Sequence, residues 1–190
     1  MSEQPRPVGS RLGRRNDPDR RDRIIDACLE VIAHSGVTGT SHRKVAARAC
    51  VPLGAMTYYF DGMDDLLQAA LTRFATGISD RFERRMAGAS DADGAREAVA
   101  AIILDDVFGD DRELVLSHEL YTLAARDPAY RSITTAWMER SRAALERHFD
   151  PETARLLDAL IEGLSIHRAL DSRTRDPHEV RTAIARITAS

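Results

Sequence analysis

Residues 41–60 read SHRKVAARACVPLGAMTYYF, and this stretch decides the fold. Ser41 is a good N-cap for a helix running to Ala49, with Val45, Ala46 and Ala49 as its buried face. Cys50-Val51 leaves room only for a tight turn. Pro52 is placed to open another short helix through Tyr59, since proline suits a first helical position. The small residues Ala46, Ala47 and Ala49 let two short helices pack closely. Gly54 and Ala55 keep the start of the second helix slim enough for a DNA backbone to approach. Two short helices across a tight turn form the helix-turn-helix pattern, whose second helix enters the major groove with its N-terminal residues against base edges. Ser41, His42, Arg43 and Lys44 cluster at the N-terminus of the first helix of the pair, where unpaired N–H groups favour phosphate.

Outward from this pair the chain stays helical. Upstream, Asn16-Asp17-Pro18 supplies a cap and a proline for an earlier helix. Ile24, Cys28, Val31 and Ile32, widened by Ile25 and Leu29, give that helix an apolar stripe. Ser35-Gly36 ends it, with Gly36 suited to a positive φ. Downstream, Asp61-Gly62 breaks the pair from a long helix, Met63 to Met86, carrying Leu66, Leu67, Ala70, Leu71 and Phe74 on one side. Helices are then expected over Ala92–Phe108, Glu113–Arg126, Ala129–Phe149, Glu152–Leu170 and Pro177–Ile187, separated by Gly, Asp-Asp and Asp-Pro punctuation. No run alternates as a strand would. The reading is an all-α fold of about nine helices: a disordered arginine-rich arm over 1–16, a three-helix helix-turn-helix domain over 17–62, and a helical body over 63–190.

Composition excludes several classes. The chain has 190 residues, 43% apolar and 30% charged, the balance of a soluble globular protein. Its longest apolar run, Ala98 to Leu104, falls far short of the roughly 20 residues a membrane helix needs. The first residues lack the apolar stretch of a secretory leader. Cys28 and Cys50 make neither a disulfide framework nor a C-x-x-C pair, so a reducing cytoplasm is expected. Residues 1–60 hold ten Arg/Lys against six Asp/Glu, a balance of +4, and residues 61–190 hold seventeen against twenty-four, a balance of −7. Only the first third suits a polyanion, although Arg6, Arg11, Arg14 and Arg15 of the arm supply part of that excess. Lys44 is the single lysine. Asp105-Asp106, Asp110-Asp111 and Asp91-x-Asp93-Gly94 lack calcium-loop spacing. His118-Glu119 lacks the second histidine of a zinc protease. No phosphate loop or nucleophile elbow occurs. Neither catalytic residues, a metal site nor a cofactor is expected.

The longer run RDRIIDACLEVIAHSGVTGTSHRKVAARACVPLGAMTYYFDGMDDLLQAAL resembles the N-terminal domain of the TetR family of bacterial transcriptional repressors. The matching elements are the Ile-Ile-x-Ala-x-x-x-x-Ile-Ala opening, Ser-Gly-Val, Arg-Lys-Val-Ala, and Tyr-Tyr-Phe followed by Leu-Leu. The resemblance implies a homodimer that binds a palindromic double-stranded operator and responds to a small-molecule effector. It places Arg43 where some relatives read guanine with a forked guanidinium, the alternative being a phosphate contact alone. Ser41 and His42 match phosphate-contacting positions. Leu53, Gly54 and Ala55, behind Pro52, match the leading residues of the reading helix. Leu53 is either a partner for a thymine methyl or an ordinary surface leucine. Thr57 and Tyr58 match hydroxyl-bearing positions that anchor the backbone, whereas Phe60 reads as internal packing. Three positions depart from the pattern. Thr57 stands where most relatives carry Tyr, Met63 where many carry a phosphate-binding Lys, and Cys50 where Gly often makes the turn, which strains the turn if Cys50 must be left-handed.

The remaining two-thirds matches only in architecture. One reading helix sees too few base pairs for useful specificity, so a two-fold dimer is expected. Its surface is expected on the helices over 129–149 and 152–170, with Leu156, Leu160, Ile161, Gly163 and Leu164 as interface residues. Phe74, His118, Tyr121, Trp137 and His167 are polar or aromatic residues set in apolar helices, and are the expected lining of a ligand pocket. The competing reading makes the histidines core or interface residues and Trp137 a packing residue. Aromatics are 5% of the chain, which argues against an aromatic cage for bulky cations. The rival to a regulator is a helical small-molecule-binding protein or enzyme with a vestigial helix-turn-helix. The long helix after Gly62 is the expected mechanical link between body and reading head.

Overall fold

In the computed structural model, residues 19–107, 110–172 and 176–189 are described, and among them the chain is all helix, with no strand. Helices α1 (Arg20–Ser35), α2 (His42–Arg48) and α3 (Gly54–Tyr59) form the head. Helix α4 (Gly62–Ala87) leads to α5 (Ala92–Ala101), α6 (Asp111–Ala124), α7 (Pro128–Leu145), α8 (Pro151–Leu170) and α9 (Pro177–Ile187). The all-α class and the helix order expected above hold. The expected start at Asn16-Asp17-Pro18 and the arginine-rich arm lie outside the described residues.

The body's helix starts follow from one recurring device. Asp91, Asp110, Asp127, Asp150 and Asp176 each accept a hydrogen bond from a backbone N–H of the first turn that follows. Pro128, Pro151 and Pro177 then occupy first-turn positions, where a missing N–H costs nothing. At the other end of α1, Gly36 has φ +69°, as its place after the helix requires. One expected helix is broken. Helix α5 passes at Ile102 into a wider π turn, Ile102–Asp106, and the backbone extends at Val107. The widened turn keeps Ile102 and Ile103 in the core and brings Asp106 against Arg85 of α4, at 2.6 and 2.8 Å. Phe108, the expected end of that helix, lies outside the described residues.

The apolar interior falls into two clusters. One runs from α1–α3 through the first half of α4, Leu66 to Ile78, and on to Leu116 and Leu120 of α6 and Tyr130 of α7. The other joins the far end of α4, Phe82 and Met86, to α5, α8 and α9. The interior therefore does not break at residue 62, since α4 belongs to both clusters. Polar ties reinforce it. Arg73 of α4 pairs with Asp22 and Asp26 of α1. The Tyr130 hydroxyl donates to Asp64 at 2.5 Å. Arg140 of α7 spans Asp80 and Glu83 of α4 at 2.6 and 2.7 Å. Helix α7 packs against α4, α6 and α8.

Candidate nucleic-acid interface and ligand pocket

The turn between α2 and α3 closes on two backbone bonds, Cys50 N–H to Ala47 at 3.2 Å and Val51 N–H to Ala46 at 3.0 Å. Cys50 takes φ +54°, the left-handed conformation that glycine adopts freely and other residues adopt at a cost. Helix α3 is pinned from below by Met56 and Phe60, both buried, and Arg21 of α1 stacks over the Phe60 ring at 5.1 Å. Pinning its lower side leaves the other side bare. Pro52, Leu53, Gly54, Thr57 and Tyr58 are exposed and Ala55 is half-buried. Leu53 is 55% exposed and Tyr58, edge-on to Tyr59 with ring centres 4.8 Å apart, is 80% exposed, so two large side chains stand in water. A side chain at Gly54 would meet nothing within 4 Å, which is the open approach that a DNA backbone needs.

On α2, the Ser41 side chain caps the helix by accepting the Lys44 N–H at 3.4 Å. Arg43 is exposed, and its guanidinium has no ion pair among the described residues. The Nε2 of His42 is buried without a hydrogen-bond partner. Two predicted contacts are already engaged. Lys44 Nζ donates to the Gly39 carbonyl at 2.7 Å, and Thr57 Oγ1 donates to the Gly54 carbonyl at 3.3 Å. Arg48 is tied to Glu30. Met63 lies half-buried against the head's core, so it serves packing where a lysine would offer charge.

In the body, four of the five predicted pocket residues come together. Phe74 of α4 meets Trp137 of α7 edge to face, ring centres 6.1 Å apart. Trp137 lies nearly parallel to Tyr121 of α6, at 5.9 Å and 20°. His118 follows edge-on to Tyr121 at 6.4 Å. It also lines a surface cleft of about 390 Å³ with Leu114, Val115, Glu119, Thr122 and Leu170. The low aromatic content thus does not keep the rings apart, because three helices deliver them to one place. His167 does not join them. It is exposed on α8. Sequence reasoning passed over Glu162 and Asp158. Glu162 accepts the Tyr121 hydroxyl at 3.1 Å, and Asp158 lies 3.9 Å from Arg142 of α7. Two acids four residues apart within the otherwise apolar stretch Leu156–Leu164 were the available signal.

The expected dimer residues also divide. Leu156 is 51% exposed, Leu160, Gly163 and Leu164 are half-buried, and a side chain at Gly163 would meet nothing within 4 Å. Ile161 is buried among α8's own neighbours and is spent inside the protomer. On α7, Met138 is exposed as well.

A bare, slim-fronted helix held across a tight turn, mounted on a helical body with an aromatic–acidic seam, defines a helix-turn-helix regulator of transcription. Comparison with known proteins agrees over most of the chain. Residues 24–70 match the model of bacterial regulatory proteins of the tetR family, and residues 90–190 match the tetracyclin repressor-like C-terminal domain. The chain belongs to the TetR family. The HTH-type transcriptional regulator BetI of Burkholderia mallei (strain NCTC 10229) is 31% identical over 166 residues, 83% of this chain and 85% of that one. The crystal structure of SCO7518 from Streptomyces coelicolor A3(2) is 52% identical, covers 91% of this chain and 100% of that one, and superposes with a TM-score of 0.85. The multidrug binding protein EbrR, in its complex with ethidium, is 36% identical, with 90% and 99% coverage and a TM-score of 0.75. The protein is accordingly a DNA-binding transcriptional regulator and not an enzyme. Among the described residues, no helix is long and apolar enough to cross a membrane.

Proposed function

We propose that this regulator works in the cytoplasm as a homodimeric repressor that reads a palindromic operator and releases it when a small molecule occupies the body. The head over 17–62 supplies the reading surface. Pro52, Leu53, Gly54 and Ala55 enter the major groove, and Thr57 and Tyr58 hold its edge. Ser41, His42, Arg43 and Lys44 meet the backbone, with Arg43 also free to fork onto guanine. The body over 63–190 carries the effector and, through Leu156, Leu160, Gly163 and Leu164, the two-fold contact. The observation that carries the reading is the bareness of α3, with Tyr58 and Leu53 in water and Gly54 unobstructed. A vestigial head would have no reason to keep two large apolar side chains outside. The ligand-responsive part is supported by the ring cluster on α4, α6 and α7, and by EbrR, a multidrug binding protein by name and similar to this chain along its length.

The test is selection of bound sequences from random duplex DNA with the full chain, followed by affinity measurements across salt concentrations. A palindromic product with half-sites about one or more helical turns apart supports the reading. Affinity should fall steeply with salt, and Arg43→Ala or Tyr58→Ala should lower it sharply. A protein that enriches no sequence would refute it.

A further inference from the structure

The last turns of α4 carry three arginines, Arg81, Arg84 and Arg85, and all three line a cleft of about 700 Å³. Ala98 and Ala101 of α5 and Asp106 of the π turn face them, and Ala89 joins the two alanines in an apolar floor. That volume is within the range of small-molecule sites, which pair an apolar surface with a few placed polar groups.

Spacing of three and four residues puts the three guanidinia on one face of α4, where like charges repel. Acids hold two of them. Arg81 donates through Nη2 to Glu113 of α6 at 2.6 Å. Arg85 donates through Nη2 and Nε to the two oxygens of Asp106, at 2.6 and 2.8 Å. Nε and Nη1 of Arg81 and Nη1 of Arg85 remain unused. Arg84 is exposed, and its guanidinium bonds to nothing among the described residues. The acids that line the cleft are each engaged already. Asp106 holds Arg85, and Glu97 holds Arg181 of α9, whose Nε reaches both carboxylate oxygens at 3.2 Å. Asp105 is exposed, lines no part of the cleft and acts on Arg85 only through space. What the wall has left to offer is therefore N–H. The negative carbonyl end of α4 accounts for basic residues in its last turn, but not for a concave, alanine-floored surface in front of them.

We infer that the α4–α5 cleft is a binding site for an organic anion, its carboxylate forked on Arg84 and its apolar body lying on Ala89, Ala98 and Ala101. A planar guanidinium matches a carboxylate with two parallel N–H bonds, and the spare N–H groups of Arg81 and Arg85 reinforce them. The site goes beyond the ligand-responsive reading above, since Phe74, Tyr121 and Trp137 line no part of it. An anion held there ties α4 to α5 at the end of α4 remote from the reading head.

The full chain is titrated by calorimetry at pH 7.5 with 2-naphthoate, an aromatic carboxylate, and with 2-naphthamide, which has the same rings and no charge. The naphthoate should bind saturably and at least about tenfold more tightly than the amide. Arg84→Gln should weaken the naphthoate roughly tenfold or more and leave the amide unchanged. Since Arg84 bonds to nothing in the protein, that variant should keep the parent's helicity and Tm. Ala101→Leu fills the floor and should weaken both probes. Arg126→Gln removes the same charge from an exposed position outside the cleft and should bind the naphthoate like the parent. Raising salt should weaken the naphthoate and not the amide. The inference is overturned by any of three results: no saturable naphthoate binding, equal affinity for the two probes, or a naphthoate affinity that Arg84→Gln lowers no more than Arg126→Gln does.

Discussion

Replacing Cys50 by glycine should stabilise the protein. Cys50 is the one non-glycine residue with positive φ among the described residues, at +54°, and its side chain is exposed. A side chain held in the left-handed region costs about 1–2 kcal/mol. Glycine removes that cost but gives the unfolded chain more freedom, which takes back about 0.5–1 kcal/mol. The net gain is about 0.5–1 kcal/mol, because no packing is lost at an exposed position. For a chain of this size that raises the Tm by roughly 1–4 °C. Urea and thermal melts of the parent, Cys50→Gly and Cys50→Ala provide the assay. Cys50→Ala keeps the Cβ and should show no gain, which separates relief of backbone strain from loss of the thiol. Should glycine destabilise the protein, or alanine help equally, the strain argument is wrong.

Tyr130→Phe removes the bond to Asp64 that links α7 to the start of α4, and should cost about 1 kcal/mol in urea melts. Leu116→Ala opens a void at a fully buried position and should cost about 2–5 kcal/mol by the same measurement. Gly163→Arg places a charged chain on the open strip of α8, where a Cβ meets nothing. It should convert dimer to monomer by light scattering at unchanged helicity. The pH behaviour of Asp158 has a definite sign. Its carboxyl titrates near 6 when folded, above its ordinary value, so its burial weakens the fold above pH 6 and that penalty fades as pH falls toward the unfolded value. Asp158→Asn should therefore raise the Tm at pH 7.5 and lose most of that advantage at pH 5.

The head was legible because its determinants are local. Ser41 caps within three residues, the alanines of α2 and the turn at Cys50 are neighbours, and even the strain at Cys50 could be anticipated from a missing glycine. Helix starts in the body were equally plain wherever Asp preceded Pro, as at Asp127, Asp150 and Asp176. The seam was harder. Phe74, Tyr121, Trp137 and Glu162 lie on four helices, and only tertiary packing brings them together. Periodicity gives each helix an inward side but not which neighbour it faces, so the sequence alone groups His167 with the rings and Ile161 with the open strip. The π turn at Ile102–Asp106 left no mark in the sequence, because its residues suit an α-helix equally well. The engagement of Lys44 with Gly39 and of Thr57 with Gly54 is likewise a matter of rotamers that residue type does not fix.

The apolar cluster that begins in α1–α3 does not stop at α4 but takes in Leu116, Leu120 and Tyr130. Anyone building a biosensor by grafting this head onto a foreign body at residue 62 would cut through that shared interior. A working chimera must carry α6 and the start of α7 along with the head. Since Leu120 sits next to Tyr121, such a graft also imports part of the ring cluster on α4, α6 and α7.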